Sequence, residues 1–455
     1  MPARLFRRNS LFRRHSLRSP MAGKAPDTAS AYGRVFWLAY LANALTMIAI
    51  SLLVRYADFI TFLGGAEGQL GLIVGVGMIG SLCMRAGQGV GIDKYGPRTI
   101  WLWSLVFFIG SLIAHLWVTS SAGLAIFAVR IVMQTSIAGI FGASITWISR
   151  RVPPERMAEI IGTLGTSGFF GILIGPQIAD WICSGPAIER PQLNRLFVVA
   201  GSLGSAAFVA AWFATRGQRI PVVRRRAPMM GLLRRYNPGI VLLVAMTIGA
   251  GISIPNTFLR TYAAELGIAK IGLFFTVYAI AAFVVRVSAR RLFERYGNRP
   301  FVICGLSLLA ASMMLYLVVR TTWQLIIPGV IAGSAHAMLF PATVASGSTC
   351  FPERYRGLGT TVMLAMFDIG NLVGAPLVGG TLHVARSLRL PAYPMMFIGA
   401  GFLVTLTASI FWWRTRSVAQ PTTTLNVRET QPQQGGAIAA SRRRQARVQA
   451  ATSER

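Results

Sequence analysis

The sequence predicts an all-α membrane protein whose twelve transmembrane helices form two pseudo-symmetric six-helix bundles. Three observations lead there: apolar blocks about twenty residues long, arginines gathered on alternate loops, and an echo of the first half of the chain in the second.

The apolar blocks come first. Hydrophobic residues make up 54% of the 455 and charged residues only 13%, with a mean hydropathy of +0.56. A soluble domain carries about 25% charged residues to cover its surface. Blocks such as Trp101 to Thr119 and Phe197 to Phe213 are the right length, because roughly 20 helical residues cross a ~30 Å hydrocarbon core. Reading the blocks between charges and Gly/Pro clusters gives spans at 35–56, 68–89, 99–119, 122–147, 159–183 and 196–215, then at 239–261, 270–290, 300–320, 323–347, 357–383 and 393–413. The chain divides into a basic N-terminal tail (1–34), an N-terminal half (35–215), a basic linker (216–238), a C-terminal half (239–413) and a polar C-terminal tail (414–455). Both tails read as disordered. Arg7-Arg8 and Arg13-Arg14 lack the apolar stretch that a secretory or twin-arginine signal places directly behind its charges.

The charges set the topology. A net charge of +31 in a soluble protein suggests nucleic acid. Here the arginines sit in the tails, the 216–238 linker and the loops near 90–98, 148–158, 290–299 and 348–356, without interleaved aromatic residues. The opposite loops are poor in them: Ser120-Ser121 has none, and 57–67 carries only Asp58 and Glu67. That asymmetry predicts that both termini are cytoplasmic and makes the lipid bilayer, not nucleic acid, the partner.

The echo is the third observation. Gly71 to Arg98 aligns without gaps on Gly272 to Arg299, 201 positions later. Gly71/Gly272, Leu72/Leu273, Val76/Val277, Ile79/Ile280, Arg85/Arg286, Tyr95/Tyr296, Gly96/Gly297 and Arg98/Arg299 are identical, and Asp93/Glu294 and Lys94/Arg295 keep their charge. Pro154-Glu155-Arg156 and Pro352-Glu353-Arg354 repeat before a Gly-rich span in each half. Repeated membrane halves are the architecture of secondary transporters, which place a solute site between the halves near mid-membrane.

The loop Gly89-Val-Gly-Ile-Asp93-Lys94-Tyr-Gly96-Pro-Arg98 resembles the signature loop of the major facilitator superfamily, with Pro97 where the family has a basic residue. Its copy, with Arg286, Glu294, Gly297 and Arg299, is degenerate. The resemblance covers about residues 35 to 413. It implies the major facilitator fold, in the bacterial twelve-helix, efflux-like branch of the inner membrane. In the family the loop is a cytoplasmic gate, which here assigns Arg85, Gly89, Asp93, Lys94, Gly96 and Arg98 to that role. Gly89 is expected to let helices approach, Gly96 to make a turn at positive φ, and Asp93 to face the N-terminal end of span 11 near Arg356-Gly357. Gly168, Gly171 and Gly175-Pro176 resemble the family's antiporter motif, which continues to a Gly-Gly pair where this chain has Ala179-Asp180; Gly370, Gly374, Pro376 and Gly379-Gly380 mirror it. Small residues four apart also serve ordinary helix packing.

Two charges lie deep in spans. Placing one at helix centre costs about 2.5–3.5 kcal/mol, so each is a candidate for function. Arg130 resembles the arginine that the family links to proton coupling, although Gln134 stands one place later than the family's glutamine. Asp368 is the candidate proton carrier, since a carboxyl holds a proton when desolvated and releases it to water. A structural carboxylate satisfied by neighbouring helices is the alternative. His336 titrates or binds solute, or simply bonds a neighbouring helix. Arg55 and Arg260, at the outer ends of spans 1 and 7, are expected to snorkel to headgroups, or else to ring the outer mouth. By family analogy Asn43, Gln134, Asn256, Thr257 and Asn371 line the cavity.

Other classes fit less well. His15, His115, His336 and His383 are isolated, and neither a His-Glu-x-x-His nor a Gly-x-x-x-x-Gly-Lys-[Ser/Thr] motif occurs, so neither an enzyme nor an ATP-driven pump is expected. Cys83, Cys183, Cys304 and Cys350 are too scattered for a disulfide framework or zinc. The tails contain no soluble signalling domain for a sensor. The expectation is a monomeric secondary transporter without cofactor, moving a small-molecule solute by alternating access. Proton-coupled efflux leads, with an uptake permease or uniporter for an organic anion as alternative.

Overall fold

The structure, a computed structural model, describes residues 32–152, 156–185, 188–217 and 229–416. Most of both tails, most of the linker, the Pro154-Glu155 pair and the Glu294 side chain lie outside the described residues. In hydrocarbon no water is available to backbone amides, so the chain meets its hydrogen bonds inside helices. It does so in α1 (Arg34–Leu52), α2 (Glu67–Tyr95), α3 (Pro97–Ala114), α4 (Leu124–Ser149), α5 (Met157–Ile182) and α6 (Arg190–Thr215). The second half supplies α7 (Ile240–Glu265), α8 (Gly272–Ser288), α9 (Asn298–Leu315), α10 (Ile326–Thr349), α11 (Arg356–Ser387) and α12 (Ala392–Thr415).

Eleven of these helices are long and apolar enough to cross a membrane; α8, with 17 residues, is shorter. Its length is still about 26 Å at 1.5 Å per residue. The predicted span 270–290 therefore ends early: the helix breaks at Ala289 and restarts as Arg290–Tyr296. Span 1 runs further than predicted, through a 3₁₀ turn at Leu53–Arg55 into a short helix, Tyr56–Phe62. The loop that follows is only 63–66, and Asp58 is helical.

Polar side chains within the spans bond back onto their own helix, as with Thr46 Oγ1 donating to the Ala42 carbonyl at 2.8 Å and Ser136 Oγ to Val132 at 2.7 Å. Trp37, Trp117, Trp181, Trp323 and Trp412 are exposed near helix ends, where indole rings suit the membrane–water boundary.

The two halves pack alike. In the first, α1 lies against α5 and α6, and α4 joins α2 to α3; in the second, α7 lies against α11, and α10 joins α8 to α9. Thr247 and Thr407 meet at 3.0 Å between α7 and α12. Gly96 (φ 83°) and Gly297 (φ 71°) make the same left-handed turn in each half, a conformation that needs glycine. Pro97 then opens α3 at a first-turn position where a missing N–H costs nothing. The halves touch through α2 with α11 and through α5 with α8.

Candidate functional site

Charged residues cross the boundary between the halves at two depths. The first set lies at the arginine-poor end. Arg55, only 1% exposed, donates from Nε and Nη2 to Asp180 Oδ1 at 2.9 and 2.7 Å, and from Nη1 to Asp58 Oδ2 at 3.0 Å. Its Nη2 also reaches the Ala269 carbonyl of the other half at 2.7 Å. Asp180, 4% exposed, turns its second oxygen to the Gly272 N–H at 2.6 Å. Arg260 of α7 completes the set by donating to Asp58 Oδ1 at 2.8 Å. Two guanidiniums and two carboxylates thus form one neutral lattice shared by both halves. Beside it, Gln177 bonds Thr276 at 2.6 Å, and Arg386 bonds Glu67 at 2.7 Å and Glu265 at 2.9 Å.

Glycines bring the backbones together at this end. A Cβ on Gly75 would sit 2.5 Å from Pro376, and one on Gly379 would sit 2.6 Å from the Glu67 carbonyl, so α2 and α11 touch here with no side chain between them.

The second set lies at mid-depth. Asp368 accepts from Arg85 Nε at 2.5 Å and from Ser81 Oγ at 2.6 Å, both on α2 of the opposite half. The Arg85 and Asp368 side chains are 18% and 13% exposed, so the pair is partly shielded from water.

Beyond that depth the ion pairs among the described residues stay within one half. Asp93 is bound by Arg150 of α4 at 3.3 Å rather than facing the start of α11, and Glu353 pairs with Arg356 at 3.7 Å. Gly89 meets open space, as do Gly87 and Gly357, so the expected close approach at Gly89 is not made in this conformation. Lys94 lies over Tyr95, and Arg98 over the Trp212 ring at 5.2 Å. Arg299 stands in the first turn of α9. Among the described residues, the charged contacts between the halves gather at the arginine-poor end and at mid-depth, and none is made at the arginine-rich end.

Other residues singled out in the sequence spread over both halves. Arg130 is 8% exposed, with Nε and Nη1 unbonded; it lies 4.4 Å above the Tyr56 ring in the space Gly77 leaves by lacking a side chain. Gln134, one turn on, reaches only the Met78 sulfur. Asn43 is buried, and its Oδ1 and that of Asn371 lack partners. Asn256 folds back on the Ile252 carbonyl. His336 Nδ1 meets the Tyr278 hydroxyl, and its ring is edge-on to Phe340, which stacks on Phe367. Arg286 lies 5.5 Å above the Phe169 ring of α5. Gly171 and Gly175 pack on the backbone of α1, and Gly374 on Ala250 of α7, within their own halves. Pro176 and Pro376 are inside α5 and α11.

The family model for the Major Facilitator Superfamily matches residues 35–269 and 241–450. The chain belongs to that superfamily. Among similar relatives are the staphylopine export protein of Staphylococcus aureus, 24% identical over 80% of this chain and 90% of its own length, and the multidrug resistance protein MdtG of Citrobacter koseri, 24% identical over 85% and 96%. Solved structures share the fold. A D-xylose–proton symporter superposes with a TM-score of 0.68 at 16% identity, covering 83% of this chain and 97% of that one. A bacterial homologue of the lysosomal transporter Spinster, solved inward-facing and unoccupied, gives 0.68 at 15% identity over 87% and 98%. This major facilitator protein is a multi-pass membrane transporter and not an enzyme.

The sequence reading passed over the lattice. Arg55 and Arg260 do not snorkel: each is paired with a carboxylate at hydrogen-bond distance. The available signal was Asp180 itself, a carboxylate in the last turns of an apolar span, at the place where the antiporter motif of the superfamily has glycine.

Proposed function

We propose that this transporter exports a small organic solute across the bacterial inner membrane in exchange for protons, and that the conformation described here opens to the cytoplasm. The observation that carries the reading is the Arg55–Asp58–Asp180–Arg260 lattice, which ties the halves together at the arginine-poor end. The excess of arginine on the opposite loops assigns those loops and both termini to the cytoplasm, which makes the lattice an outer seal. Two of the relatives carry export or multidrug resistance in their names, which favours outward movement.

Alternating access then needs a seal at the other end. When the outer lattice opens and the halves rock, Asp93 exchanges Arg150 for the amides that begin α11 near Arg356-Gly357, where a helix N-terminus attracts a carboxylate. Gly89 faces open space now because its partner surface arrives only in that state.

Asp368 is the proton carrier in this reading. A proton and the Arg85 guanidinium compete for the same carboxylate, 2.5 Å from Arg85 Nε. Protonation removes the charge that holds α2 to α11 at mid-depth; loss of the proton to the cytoplasm lets Arg85 return. Arg130, buried without a carboxylate, adds a fixed positive charge within the N-terminal half.

The test uses purified protein in liposomes with an internal pH dye. A pH gradient is imposed and a panel of cationic drugs, sugars and organic acids is added to wild type and Asp368→Asn. Wild type moves one class of compound with a matching proton flux, and the variant loses at least about 90% of that flux, since a tenfold loss corresponds to only 1.4 kcal/mol. Equal movement in the variant, or movement indifferent to the gradient, removes Asp368 from the mechanism and makes the protein a uniporter.

A further inference from the structure

We infer that the exported solute is an organic anion and that Arg286 binds its negative group. This rests on the transporter reading above and adds the charge of the solute.

Of the fourteen carboxylates in the sequence, the three most shielded in ion pairs among the described residues are Asp58, Asp180 and Asp368, whose side chains are 10%, 5% and 13% exposed in the interior between the helices. Five arginines share that region: Arg55, Arg85, Arg130, Arg260 and Arg286. Each of the three carboxylates is already bound by arginine, Asp58 by Arg55 and Arg260, Asp180 by Arg55, and Asp368 by Arg85. Five minus three leaves a surplus of two positive charges, on Arg130 and Arg286, and no described carboxylate is within ion-pair distance of either. A cationic solute needs a free carboxylate, and among the described residues each shielded carboxylate is already bound by arginine. An anionic solute finds guanidiniums whose charge no described carboxylate neutralises.

Of the two, Arg286 stands where a solute can reach it. Arg130 is enclosed within the first half, between Tyr56 and the backbone at Gly77. Arg286 is half-buried at the contact between α5 and α8, on the boundary that alternating access opens. It is also the repeat mate of Arg85. At the α2–α11 contact the arginine of the repeat meets Asp368; at the α5–α8 contact its mate meets, among the described residues, the face of Phe169, 5.5 Å away. A phenyl ring attracts a cation without cancelling its charge. The counter-charge supplied by the protein on one side is missing on the other, and the solute supplies it.

The neighbours of Arg286 describe the rest of the solute. Phe283 lies 6.5 Å from Phe169, and the Phe340–Phe367 stack adjoins His336, which meets Tyr278 on the same helix as Arg286. These rings suit an aromatic or otherwise apolar body, and the Tyr278–His336 pair offers a hydrogen bond to a polar substituent. The class is an apolar organic acid.

Three probes share one ring system and differ in charge: 1-naphthoate, 1-naphthamide and 1-naphthylmethylammonium. Binding and efflux are measured on the full-length protein in liposomes, for wild type, Arg286→Lys and Arg286→Gln. Wild type binds naphthoate at least tenfold more tightly than the other two. Arg286→Lys keeps most of that preference, and Arg286→Gln loses about thirtyfold in naphthoate affinity while naphthamide binding is unchanged. Preference for the cation, no binding of naphthoate, or a naphthoate preference that survives in Arg286→Gln overturns the inference. Gradient-driven movement of the cation would overturn this inference alone; failure of the pH gradient to move any compound of the wider panel overturns the transporter reading beneath it.

Discussion

Asp180 shows how one carboxylate can hold a conformation. Both of its oxygens are used, one by the Arg55 guanidinium and one by a backbone N–H across the boundary, at 4% exposure. Removing one partner of such a buried pair costs about 3–5 kcal/mol, because the charge left behind stays buried. Asp180→Asn keeps the shape and loses the charge, so the outer end is expected to open. Cys183, three residues on and buried, is a native reporter. With the other three cysteines replaced by serine, Cys183 should react with an impermeant maleimide at least tenfold faster in Asp180→Asn than in the parent; equal rates mean the lattice is not a seal. Depth was legible here and partnership was not. A charge inside an apolar block announces itself, as Asp368 and Arg130 did. Which opposite charge it meets depends on rotation about two helix axes, information that a period of 3.6 residues in a single helix does not carry. Arg85 was read as part of a loop motif, and only the crossing of α2 with α11 showed that it belongs to Asp368.

At the scale of the element, the repeat gives the firmest correspondence between sequence and geometry. Gly96 and Gly297 aligned before any backbone was seen, and both occupy the left-handed region. Gly96→Ala forces a Cβ into that conformation at about 1–2 kcal/mol, so its thermal midpoint should fall. Gly89→Ala, in a helix and facing open space, should hold or gain up to about 1 kcal/mol. A thermal-unfolding comparison of the two variants that shows no difference contradicts the assignment of the turn. Span limits were less legible. The 3₁₀ turn at Leu53–Arg55 leaves no mark in an apolar run, and the span expected to end at residue 56 continues to Phe62. The break at Ala289 is equally silent, because nothing in Ser-Ala-Arg-Arg distinguishes a bent helix from a straight one.

For the whole molecule, α1 with α5 and α4 with α2 and α3 are matched by α7 with α11 and α10 with α8 and α9, and the halves meet through α2 with α11 and α5 with α8, which exchange places under the pseudo-two-fold. Fold and membrane residence were legible because hydrocarbon thickness, backbone hydrogen bonding and arginine distribution constrain every residue of such a chain. The conformation was not, since a transporter's sequence must be compatible with both of its states and favours neither by pattern alone. One measurement tests the account most directly. Spin labels at Thr119 and Lys270, exposed residues at the arginine-poor end of opposite halves, report the outer gap as a distance distribution in lipid nanodiscs at pH 8 and pH 5. In the proposed mechanism the closed outer end carries the Arg85–Asp368 ion pair and the open outer end carries the proton, so a fall in pH favours opening. The account predicts one short distance at pH 8, a longer population that grows at pH 5, and no pH response in Asp368→Asn. A single distance at both pH values, or a response that persists in Asp368→Asn, would contradict it.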